Sequence, residues 1–192
     1  MHPLPGPLQI PALAVAAACV VATSLACARL LRVERTLSLL LAVAVLSSAQ
    51  VVIAVEVVSL LHAIGPGALL LAHAAPLAGL LAAGVRPAPL RIAARLEALR
   101  ADVAGMRSPA VFLLLATTAA TAVVLAYLVV AVPPNTYDGL QYHLTRTYTY
   151  LLQGSLDAYP TPDLRETVLP ANAEVLVLWP CLLYTSPSPR DS

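Results

Sequence analysis

The stretch "TLSLLLAVAVLSSAQVVIAVEVVSLLHAIGPGALLLAHAAPLAGLLAAGV", residues 36–85, has Glu56, His62 and His73 as its only charged or titratable polar groups. A helix needs about 20 mostly apolar residues to cross the hydrocarbon core of a bilayer, so this stretch is long enough for two spans. The Gly and Pro residues of "HAIGPG", residues 62–67, provide the tight turn between them. The expected spans are 36–55 and 67–85. Outward from this pair, residues 10–28 contain no charged side chain and end before Arg29. A further apolar run, 110–132, is stopped by Pro133-Pro134. Another begins near Ala171 and covers 171–180.

Composition agrees with this reading. Hydrophobic residues make up 59% of the chain and charged residues 11%, well away from the balance of a soluble globular domain. The fold class implied is an all-α integral membrane protein, a multi-span helical bundle. No Lys or Arg precedes the first apolar run, so that run lacks the basic start of a cleaved signal peptide and reads as a retained span. A net charge of +1 gives no reason to expect a nucleic-acid partner. Cys19, Cys27 and Cys181 have no spacing that suggests a disulfide framework or a zinc site.

Loop charge sets the expected orientation, because cytoplasmic loops carry an excess of basic residues. The first connector holds Arg29, Arg32 and Arg35 against Glu34, and the connector 86–107 holds Arg86, Arg91, Arg95, Arg100 and Arg107 against Glu97 and Asp102. Both are expected inside. Residues 133–174 carry five acidic and two basic groups and are expected outside, together with the N-terminus. In the connector, Leu90, Ala94, Leu96 and Leu99 lie among the arginines, a pattern suited to a helix on an anionic lipid surface. Glu56, near the outer end of the second span, suits either a functional pocket or a side chain reaching the interface.

The outer loop, 133–170, begins with "PPNTYDGLQYHLTR", residues 133–146. Leu140, Leu144, Tyr148, Leu151 and Leu152 recur at spacings of three and four, which predicts an amphipathic helix over about 138–152 lying along the membrane surface. Asn135, Thr136 and Asp138 are suited to cap its start, and Gly154-Ser155 to stop it. In such a helix Asp138 and Tyr142 are one turn apart, with His143 and Arg146 just beyond. A carboxylate can take a proton from a hydroxyl acceptor, and an Arg can hold a phosphate with two hydrogen bonds. The same residues also fit plainer roles: Asp138 as a cap, His143 and Arg146 as polar-face residues, and the tyrosines as an aromatic belt.

The run "PPNTYDGLQYHLTRTYTYLLQGSLDAYPTPDLRETVLPANAE" resembles the first large outer loop of bacterial membrane glycosyltransferases of the GT-C superfamily, in the group labelled glycosyltransferase family 39-like. The likeness rests on Pro134, Asn135 and Asp138; Tyr142, His143 and Arg146; Gln153, Gly154 and Ser155; Tyr159, Pro160 and Thr161; Arg165; and Pro170 with Glu174. It implies a multi-span enzyme of the bacterial cytoplasmic membrane that moves a sugar, with inversion, from a polyprenyl-phosphate donor to an acceptor at the outer face. By the same resemblance Asp138 is the catalytic carboxylate, and Tyr142, His143, Arg146, Arg165 and Glu174 are substrate-binding. Lipid-linked donor and membrane lipids are the implied partners. A divalent cation between Asp138 and a donor phosphate is chemically reasonable. Tyr137 stands where Trp is more usual and Thr145 where Pro is common. The alternatives are a transporter or flippase, and a small non-enzymatic four-span protein.

The last residues, "CLLYTSPSPRDS", break the pattern. Cys181 to Asp191 reads as translated adapter sequence from a transposase-based DNA library, so 181–192 is set aside as an artefact tail. The expectation is a truncated, N-terminal fragment whose parent continues beyond Pro180, and which lacks transferase activity by itself.

Overall fold

The computed structural model describes residues 9–87, 89, 91–105, 108–131 and 139–184. Among these the secondary structure is entirely helical: α1 (Gln9–Leu30), α2 (Thr36–Leu60), α3 (Pro66–Ala82), α4 (Ile92–Gly105), α5 (Pro109–Ala131), a π-helical turn (Gly139–His143), α6 (Leu144–Gln153), α7 (Arg165–Val168) and α8 (Asn172–Tyr184). Two described helices are long and apolar enough to cross a membrane, Pro11–Leu30 within α1 and Thr36–Leu60. Pro66–Ala82, Pro109–Leu125 and Ala173–Leu183 are shorter apolar helices. The runs expected at 10–28, 36–55, 67–85, 110–132 and 171–180 fall on α1, α2, α3, α5 and α8. α2 continues past residue 55 because Glu56 stays exposed on its surface and does not interrupt it. α8 likewise passes Pro180 and reaches Tyr184.

The chain divides into two compact units, Met1–Ala88 with Gln141–Ser192, and Pro89–Leu140. In the first, α1, α2 and α3 pack on one another, α8 packs on α1 and α2, and α6 packs on α8. Small and polar side chains are concentrated where α1 is buried, at Ala16, Thr23, Ser24, Ala26 and Ala28, and Ser24 and Ser47 share a hydrogen bond of 3.0 Å. Large side chains such as Leu37, Leu40, Leu41, Ile53 and Leu71 face outward.

The helix ends are set by left-handed residues. Arg32 (φ 53°) and His62 (φ 50°) follow α1 and α2, and Val33 and Ala63 donate back to the Ala28 and Val58 carbonyls at 3.0 and 3.1 Å. Such bonds satisfy carbonyls that a helix end would otherwise leave free. Pro66 then opens α3 at a position where its missing N–H costs nothing. The turn read from "HAIGPG" therefore forms, at 61–65.

The two ends of this unit have different partners. At one, Arg29 Nη1 donates to the Arg86 carbonyl at 3.4 Å, bringing two of the basic connectors together. At the other, the α2–α3 turn meets the loop after α6: Ile64 N–H donates to the Gly154 carbonyl at 3.0 Å, and Leu156 N–H to Ser59 Oγ at 2.7 Å. Val55, Val58, Leu69, Tyr150, Val175 and Leu178 form the buried cluster beneath this contact. In the second unit Ile92, Leu96 and Val103 of α4 are exposed. With half-buried Leu99 they make one helical stripe among Arg91, Arg95 and Arg100.

Gly154 ends α6 at φ 72°, and a Cβ there would meet nothing closer than the His62 carbonyl at 3.7 Å. Gly154→Ala therefore meets backbone strain rather than crowding. It is expected to lower stability by about 1–2 kcal/mol, read as a lower midpoint of thermal unfolding in detergent.

Candidate functional site

The helix predicted over 138–152 begins in the structure as the π-helical turn Gly139–His143 and continues as α6 to Gln153. Asp138 lies outside the described residues, as do the proposed caps Asn135 and Thr136. Such π turns insert an extra residue into a helix and recur at functional sites. α6 buries its polar face. Arg146, Thr147 and Tyr150 are buried, and so is Tyr142 in the turn before them, whereas Leu144, Tyr148 and Leu152 are exposed. Arg146, for which a polar-face position at the interface is the plainer alternative, is only 5% exposed.

Burial of Arg146 is offset by specific partners. Its Nε donates to the Tyr150 hydroxyl at 2.8 Å, one helical turn on, and its guanidinium carbon sits 5.7 Å from the centre of that ring. Its Nη1 lies 3.5 Å from Glu174 Oε1, an ion-pair distance rather than a hydrogen bond. The same Oε1 accepts from His143 Nδ1 at 2.8 Å. Glu174 is in the first turn of α8, where a carboxylate is favoured by the helix dipole. Its side chain is 1% exposed and Oε2 has no hydrogen-bond partner. A buried carboxylate is held against two basic side chains, and one of these, His143, is still 42% exposed.

Tyr142 and Arg165 extend this cluster. The Tyr142 and His143 rings lie 4.0 Å apart between centres, tilted by 38°. The Arg165 guanidinium lies over Tyr142 at 4.9 Å. Asp163 grips Arg165 through both carboxylate oxygens at 2.7–3.2 Å. Hydrogen bonding from Arg165 holds the Asp163 carboxyl below the ordinary carboxylate range. Five of the six site residues read from the sequence are thus in contact or one residue removed: His143, Arg146 and Glu174 directly, Tyr142 and Arg165 through stacking.

Other motif residues hold the loop in place. Gln153 Nε2 donates to the carbonyls of Ser155 and Asp157 at 2.7 and 2.8 Å, and Ser155 Oγ donates to Asp157 Oδ2 at 2.8 Å. Exposed His62 lies 3.3 Å from Asp157, a contact worth little in water.

The sequence reading missed several buried polar residues. Ser59 anchors the loop through Leu156. Fully buried His73 accepts from Trp179 Nε1 at 2.7 Å, tying α3 to α8. Glu166 is buried beside Tyr159. The 146/150 spacing was a usable signal for the Arg–Tyr pair; the long-range pairs had none. No group of three or more His, Cys, Asp and Glu side chains suited to a metal occurs among the described residues. Separate from the cluster, a groove of about 470 Å³ between α1, α2 and α3 is lined mainly by apolar side chains, with Thr23, Ser24 and Gln50 among them. Both polar atoms of the Gln50 amide are buried there without a partner.

No protein-family model, curated protein or solved structure matches the chain.

Burial pushes the Tyr159 phenol up to about 12, with the neighbouring Glu166 carboxylate adding to the rise, although its hydroxyl is outside hydrogen-bonding geometry. The folded state therefore holds this proton more tightly than the unfolded chain, whose tyrosines titrate near 10.0. Stability from this group is complete below pH 10.0 and is lost as pH rises towards about 12. Tyr159→Phe should remove that part of the alkaline loss, measured as the difference in unfolding midpoint across the same pH range.

Proposed function

We propose that this chain is part of a multi-span membrane glycosyltransferase. It transfers a sugar from a polyprenyl-phosphate donor to a hydroxyl acceptor at the outer face of the bacterial cytoplasmic membrane. The observation that carries the reading is the orientation of α6. Its exposed Leu144, Tyr148 and Leu152 suit the lipid boundary, while its inward Arg146, with His143 of the preceding turn, meets Glu174 of α8. Intramembrane and interfacial charges are costly and tend to mark functional sites.

Support for a membrane setting comes from the outward-facing leucines of α2 and α3 and the small residues buried along α1, the distribution expected where lipid replaces water. Sidedness is supported by the contact of Arg29 with Arg86 at one end and of the α2–α3 turn with the 154–157 loop at the other. In this scheme Arg165, stacked on Tyr142 and held by Asp163, lies beside the donor, and half-exposed His143 lines the approach. Asp138 is the carboxylate that takes the acceptor's proton. Inversion follows from direct attack on the anomeric carbon.

Asp138→Asn in the full-length protein should lower sugar transfer from a polyprenyl-phosphate donor by about 10²–10⁴-fold, with the unfolding midpoint unchanged. Transfer at the unmutated rate would remove Asp138 from the mechanism.

A further inference from the structure

We infer that Glu174 is a positioning residue for His143, and that His143, through Nε2, gives a proton to the donor's phosphate oxygen as that oxygen leaves the sugar. The inference rests on the glycosyltransferase reading and adds a second protic group to it. Its basis is the buried half of the pair. Glu174 is 1% exposed and Oε1 lies 2.8 Å from His143 Nδ1. A carboxylate accepts only, so Nδ1 carries the hydrogen. That fixes the ring's orientation and leaves Nε2 as the exchanging atom, on a side chain 42% exposed.

The surroundings favour the phosphate side of the reaction over the acceptor side. Beside the ring are Glu174 from α8 and Tyr142 from the turn; Arg146 of α6 reaches the same Glu174 oxygen, and Arg165, paired with Asp163, lies over Tyr142. Both guanidinium groups have a carboxylate beside them, but Arg146 Nη1 has no hydrogen-bond partner, and an unfilled guanidinium donor suits an anion. With a hydrogen on each nitrogen, the ring has Glu174 as its counter-charge at Nδ1, so Nε2–H can be aimed at a phosphate oxygen without a change of orientation.

In the transfer step the acceptor oxygen bonds to the anomeric carbon while the bond from that carbon to the phosphate oxygen breaks, its electron pair going to the oxygen. The acceptor's proton passes to Asp138. The departing oxygen takes the proton from His143 Nε2, leaving a neutral ring that is reprotonated from solvent. No oxidant, reductant or further reactant is needed.

The test uses the full-length protein with a polyprenyl-phosphate sugar donor. His143→Ala should lower kcat about 100-fold with the donor KM changed by less than about threefold. Added imidazole should restore at least about tenfold of that loss, because the site is open at His143. Glu174→Gln should lower kcat without such rescue. A loss carried by KM, or the absence of rescue in a correctly folded His143→Ala protein, overturns the inference. Nitrogen-15 NMR of histidine-labelled unmutated protein provides a readout free of folding defects in variants. The neutral ring of His143 should carry its proton on Nδ1, and a proton on Nε2 instead overturns the positioning role. If the unmutated protein transfers no sugar, the transferase reading fails and the acid role with it, while the NMR result still decides the pairing.

Discussion

The carboxylate of Glu174, buried in the first turn of α8, is the point at which the loop helix and the helical bundle meet. It faces His143 and Arg146, both from the π turn and α6. A buried carboxylate without partners is far more costly than a paired one, and removing one member of a buried ion pair typically costs about 3–5 kcal/mol. The contact therefore restricts α6 to one rotation about its axis. With Arg146 turned inward, Tyr142, Thr147 and Tyr150 follow it, and Leu144, Tyr148 and Leu152 must face outward. Neighbouring bonds from Gly154 to Ile64 and from Leu156 to Ser59 fix the helix along its length as well.

Outward-facing apolar side chains recur through the first unit, alongside its apolar buried cluster. The side chains buried along α1 are mostly small or hydroxylated, while many leucines of α2 and α3 face outward. In water such a surface would be a liability. In lipid it is the expected one, since tails are as apolar as leucine and helices associate through close packing and hydrogen bonds. Ser24 with Ser47 and His73 with Trp179 are hydrogen bonds between helices of this unit.

Helix positions were legible because they depend on local properties: apolar run length, the Gly and Pro of 62–67, and the Gly154 stop. The amphipathic helix was legible from the spacing of Leu144, Tyr148 and Leu151. Its rotation was harder to read, since apolar-out and polar-out share one period and only the partner of the polar face decides between them. That partner, Glu174, is 28 residues from Arg146 and no local pattern connects the two. Grouping His143, Arg146 and Glu174 in one site came from resemblance to a family motif, whereas their distances come from packing. The α2 overrun beyond residue 55 has the opposite origin: a single exposed Glu56 does not end a helix whose other residues favour it.

A double-mutant cycle between Arg146 and Glu174, using Arg146→Met and Glu174→Gln singly and together, measures the central contact most directly. Unfolding free energies in detergent should give a coupling of about 1–3 kcal/mol, with each single change costing more than its share of the double change. A coupling within about 0.5 kcal/mol of zero would contradict the account, because α6 would then be held by its other contacts and the buried cluster would have no part in setting its face.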